Sequence, residues 1–144
     1  GLDDGFPLIG YRSIAKNLEL TADNAEDIAE TVLDNADHPL ELEQNTIRQI
    51  QEFSDRVDEI TSLAVEAAVD RDYEATIRVR ALFRELGDRE HEILADLPEM
   101  SNEELLQVRE VLVSLQQTAQ YAMRNAEIAA NLALNEESEH LTIK

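Results

Sequence analysis

Residues 101–133 read SNEELLQVREVLVSLQQTAQYAMRNAEIAANLA, and this stretch decides the fold. Ser101 followed by Glu104 has the spacing of a capping box, in which the serine hydroxyl accepts the third backbone N–H of a new helix. From there Leu105, Val108, Leu112, Leu115, Ala119, Ala122, Ala126, Ala129 and Ala133 recur every three or four positions, so they share one face of a continuous helix. Neither Gly nor Pro interrupts it. The polar residues from Asn135 onward are expected to fray.

Three more stripes of the same kind precede it. Leu8, Tyr11, Ala15, Leu18, Ala22, Ala25, Ala29, Val32 and Ala36 form a long first stripe, bounded by Pro7 near its start and Pro39 just past its end. Ile47, Ile50, Phe53, Val57, Ile60, Ala64 and Ala67 form a second, limited by Asn45-Thr46 and the Asp70-Arg71-Asp72 turn. Tyr73, Ile77, Val79, Phe83, Leu86, Ile93 and Leu94 form a third, with Gly87 weakening its middle and Asp96, Leu97 and Pro98 ending it. No segment alternates with period two. The expected fold class is all-α, an antiparallel bundle of about four long helices.

The 144 residues carry 32 acids against 12 bases, a net charge of −20, and only Lys16 and Lys144 are lysines. Such a surface repels nucleic acid and anionic membrane, so direct nucleic-acid binding is not expected, and with no run near the ~20 apolar residues that cross a bilayer, membrane insertion is not expected either. Acid excess with so little lysine is the usual look of a protein kept in concentrated salt, where the Debye length falls to about 3 Å at 1 M. A haloarchaeal, cytoplasmic origin is the expectation. The absence of cysteine removes disulfides and thiolate chemistry from consideration. The chain opens on Gly1, which reads as a piece of a longer protein.

The first and fourth helices are related by a shift of 97 residues. Leu18-Glu19-Leu20-Thr21-Ala22 then lies over Leu115-Gln116-Gln117-Thr118-Ala119. The run Leu18 to Glu30 also resembles the signature helix of the PhoU family of phosphate-uptake regulators, L-E-R-I-G-D-H-A-x-N-I-A-E, at Leu18, Glu19, Asp23, Ala25, Ile28, Ala29 and Glu30. The stretch from Ala67 to Ala75 is similar to the turn between the first two helices of a PhoU repeat. The resemblance implies tandem three-helix repeats. Residues 1–43 would be the third helix of a preceding repeat with its N-terminal lead, 44–135 a whole following repeat, and 136–144 a flexible tail. Two departures stand out: Gln116 and Gln120 replace the acidic pair on the fourth helix, with Arg124 one turn on, and the first repeat lacks two helices.

Glu19, Asp23 and Asp27, at i, i+4 and i+8, line one edge of the first helix with Glu30 close by. Hard oxygen ligands gathered this way suit a divalent or ferric metal ion, and in the family the motif is one that holds metal clusters. The bland alternative is a solvated acidic face. Asp88-x-x-His91 and Glu137-x-x-His140 are the nearest approach to di-iron ligand spacing, and His38 precedes Pro39 without a partner in view. Arg78, Arg80 and Arg84 are expected to pair with carboxylates, or else to meet a phosphate or a partner. With no Gly-x-Ser-x-Gly elbow and no phosphate-cradling loop, no catalytic or cofactor-binding set emerges.

The expected function is therefore a regulatory, non-enzymatic helical module controlling phosphate transport or phosphate-responsive transcription. By the resemblance its protein partners would be a phosphate transporter, a sensor kinase or a fused DNA-binding domain. A metal-binding bundle holding iron or manganese is the alternative. A homodimer is also expected, through an apolar edge of the first helix at Ile9, Ile14, Leu20, Ile28 and Leu33 left uncovered by the missing repeat helices.

Overall fold

The computed structural model describes the backbone of residues 2–34 and 42–142 and the side chains of 8–24, 26–28 and 42–137. Helix α1 spans Leu2–Asp34, α2 Gln44–Asp70, α3 Tyr73–Ala95 and α4 Asn102–Thr142. The expected all-α bundle of four long helices is what forms, with no strand among the described residues.

Local chemistry sets most of the boundaries. Arg71 adopts the left-handed conformation (φ 53°, ψ 41°) and closes α2, while the N–H of Asp72 returns to the carbonyl of Ala67 at 3.0 Å. Asp72 then caps α3, its carboxylate accepting from the N–H of Glu74 at 3.0 Å and of Ala75 at 3.2 Å. Ser101 caps α4 as its spacing predicts, with Oγ accepting from the N–H of Glu104 at 3.2 Å.

Helices α2, α3 and α4 enclose the core. Phe53, Val57, Ile60, Ala64 and Ala67 come from α2, Val79, Leu86 and Ile93 from α3, and Val108, Leu112, Ala119 and Ala126 from α4. The expected stripes of α2 and α4 therefore face inward. In α3 the stripe turns slightly: Tyr73 and Ile77 are exposed, and Thr76 is buried in their place, its hydroxyl donating to the carbonyl of Asp72 at 3.1 Å. Threonine can take an inward position on a helix because its hydroxyl is satisfied by its own backbone. Gly87 does not break α3, and a Cβ placed there would meet no atom within 4 Å.

The ends of the outer helices differ from expectation. Helix α1 begins at Leu2, so Pro7 sits inside its second turn, where the missing N–H costs a single backbone bond. Helix α4 continues past Ala133 to Thr142, since polar residues without Gly or Pro carry no stop signal. The His38-Pro39 turn and Ala36 lie outside the described residues, as do the side chains of Ala25, Ala29, Val32 and Leu33.

Among the described residues, helix α1 approaches α4 and neither α2 nor α3 at the backbone level. It also turns inward a different face from the one expected, about a third of the way round the helix. Leu8, Tyr11, Ala15, Leu18 and Ala22, read as its core stripe, are all exposed. The residues turned toward α4 include Asn17 and Asn24, both buried, with Gly10, Ile14, Thr21 and Ile28 half-buried along the same edge. The physical reason lies in closeness of approach. A Cβ on Gly10 would come within 3.0 Å of both Leu132 methyls, so the lack of a side chain at Gly10 lets α1 settle onto α4 there. Asn17 fixes the register by donating Nδ2–H to Oδ1 of Asn125 at 2.9 Å.

Candidate functional site

With α1 and α2 both resting on α4 but apart from each other, a groove opens between them. Ile14, Leu18 and Thr21 of α1 form one wall, and Thr61, Ala64, Val65, Ala68 and Val69 of α2 form the other. Its floor is Thr118, Ala122 and Asn125 of α4. The lining is almost wholly apolar, and its rim is open: Leu18 is 59% and Val69 74% exposed. Oγ1 of Thr61, in the groove wall, and Nδ2 of Asn24, one turn beyond Thr21, are buried without a hydrogen-bond partner among the described residues. Thr21 and Thr118 satisfy their own hydroxyls, donating to the carbonyls of Asn17 at 2.9 Å and Ser114 at 3.0 Å. Those two pairs are related by the 97-residue shift seen in the sequence (114 − 17 = 118 − 21 = 97). The stripes themselves are not equivalent, since Ala22 is exposed where Ala119 is fully buried.

A second cleft, between α2 and α3, is charged. Arg56, Glu59, Glu85, Asp88, Arg89 and Glu92 line it together with Ile60, Leu82 and Leu86. Arg89 donates to Glu52 at 2.9 Å and to Glu92 at 3.0 Å. The hydrogen bond to Glu92, then that to Glu52, raises the pKa of its guanidinium further above its ordinary value. The arginine is thus committed to its own carboxylates. Arg80 is likewise paired, with Glu127 at 3.0 Å, while Arg78 and Arg84 are exposed on α3.

The acidic edge of α1 is solvated. Glu19, Asp23 and Asp27 are all exposed, and Glu19 lies 3.9 Å from the ammonium of Lys16. Four residues of helix advance about 6 Å, so the three carboxylates are strung along the helix rather than turned on one point. Among the described residues no group of three or more His, Asp or Glu side chains converges as ligands of a metal would. Glu30, His38 and His140 fall outside the described side chains; Asp88 and His91 are exposed on α3, and Glu137 on α4. Gln116 and Gln120 are half-buried on α4, and Arg124 is exposed. Sequence reasoning missed the groove, because its walls come from helices whose relative placement no single stripe encodes.

Fold and site together define an all-α helical bundle with an open apolar groove and an uncovered helix face. No family model matches the chain, no curated protein matches it in sequence, and no solved structure matches it. No helix of the described residues is long and apolar enough to cross a membrane.

Proposed function

We propose that this chain is a regulatory, non-enzymatic interaction module of the PhoU type, controlling phosphate transport or phosphate-responsive transcription by helix-face docking. The observation that carries the docking half of this reading is the apolar groove between α1 and α2. A surface so apolar, in a chain of net charge −20, suits a contact with another protein better than contact with water. Its open shape suits an amphipathic helix laid along it, with apolar anchors entering at successive turns. The phosphate half rests on the Leu18–Glu30 motif alone.

Deletion of the gene in its host tests the reading. Phosphate uptake, or phosphate-responsive transcripts, should stay at starvation level in phosphate-rich medium. Reintroducing the wild-type gene should restore control. A Val65→Glu, Val69→Glu variant should not, although both sites are exposed and the change should leave the fold intact. Unaltered phosphate control after deletion would remove the phosphate assignment, and full rescue by the double variant would remove the groove from it.

A further inference from the structure

The face of α1 turned away from α4 is apolar over about four turns, from Leu8 to Ala22, with Leu8 and Tyr11 each 53% exposed and Leu18 59%. It also carries an asymmetric charge pattern. Residues 5–18 contain no acid, although 32 of the 144 residues are acidic, and within them stand Arg12 and Lys16. The following turns carry Glu19, Asp23 and Glu26. On a helix of 3.6 residues per turn, all five of these charges fall on one flank of the Leu8–Ala22 stripe. All five are exposed.

We propose that this face pairs with the same face of a second copy of the chain, the two α1 helices running antiparallel across a two-fold axis between Ala15 and Leu18. The flank reads basic, then acidic, along the helix. In an antiparallel pair the same flanks of the two helices meet in opposite directions. Arg12 then lies between the partner's Glu19 and the partner's Asp23, and Lys16 lies beside the partner's Glu19. A parallel pair would instead set this flank against the partner's opposite flank, which carries Gly10, Ile14 and Thr21 and no charge, so none of these ion pairs would form. The same register places Tyr11 against the partner's Ala22 and Leu18 against the partner's Ala15. Large residues thus meet small ones, the condition for interdigitated packing. The inference deepens the interaction-module reading by naming the occupant of the α1 face.

The chain has no cysteine of its own, which makes cross-linking a clean test. In the proposed register Ala15 lies three residues from its symmetry mate, an axial offset of about 4.5 Å, within disulfide range for closely packed helices. Leu8 lies about 25 Å along the axis from its mate, because the residue opposite it is number 25. The full chain should sediment as a dimer at about 0.5 M KCl, where the Debye length lies between roughly 3 and 8 Å and net repulsion is largely screened. Under mild oxidation Ala15→Cys should form a covalent dimer and Leu8→Cys should not. Leu18→Glu should sediment as a monomer with unchanged helical circular dichroism, since the side chain is exposed in one copy. Arg12→Glu should weaken dimerisation about tenfold, through two symmetry-related ion pairs. Adding Glu19→Arg and Asp23→Arg to it should restore the dimer. A monomeric wild-type chain, or cross-linking of Leu8→Cys as readily as Ala15→Cys, overturns the proposal. A wild-type monomer that still restores phosphate control would overturn it while leaving the functional reading standing.

Discussion

Leu18 and Leu112 show how differently one residue type can be used on two amphipathic helices of one chain. Leu112 is fully buried against α2 and α3, whereas Leu18 stands 59% exposed at the groove rim. Truncating a buried leucine removes transfer free energy and leaves a cavity, at a cost of about 2–5 kcal/mol. Truncating an exposed one costs roughly 0.5 kcal/mol or less. Urea unfolding of Leu112→Ala and Leu18→Ala in dilute protein should separate the two by at least about 1.5 kcal/mol. Equal losses would mean that Leu18 faces the core after all. The same scale accounts for Asn17 on α1, which is buried with a partner in Asn125, 108 positions away, so its amide is not left unsatisfied.

At the scale of the helix, the cap of α4 and the turn between α2 and α3 were legible in the sequence because they are local, whereas Pro7 and the polar run from Asn135 did not mark helix ends. Ser101 and Glu104 act within one turn, and Asp72 satisfies two orphan N–H groups of α3. Asp72→Ala should therefore cost about 1 kcal/mol, read as a fall in the urea midpoint with an unchanged slope. Gly87 lies inside α3 with open space where a Cβ would go. Gly87→Ala should stabilise the chain by roughly 0.5–1 kcal/mol and raise the melting temperature, since it removes backbone freedom from the unfolded chain without a clash. A lowered melting temperature there would mean that the position is occupied in the folded protein. The interior of α1 was not legible in this way. Its apolar stripe and the mixed edge that carries Asn17, Thr21 and Asn24 recur with similar periodicity, and which of them is buried depends on the approach to α4.

For the whole molecule the dominant long-range term is the charge. Lowering ionic strength from 1 M to 0.01 M lengthens the Debye screening from about 3 Å to about 30 Å, so carboxylates on separate helices begin to repel one another. Few bases offset them: Arg89 and Arg80 are already engaged with acids, as is Arg71 with Glu136. The melting temperature should rise steadily from dilute buffer to molar KCl. A flat series would mean that the net charge of −20 carries no stability cost in dilute buffer, and would remove the argument for a halophilic origin. The all-helical class, the α2 and α4 core stripes and the cap of α4 followed from the sequence alone, because periodicity and capping are written within a few residues of each other. Which face of α1 meets α4, and hence the groove and the uncovered stripe, was decided only by tertiary structure. An amphipathic pattern states that a helix has a face to bury, while the neighbour that buries it is chosen by close approach, such as that of Gly10 to Leu132, between residues far apart in the chain.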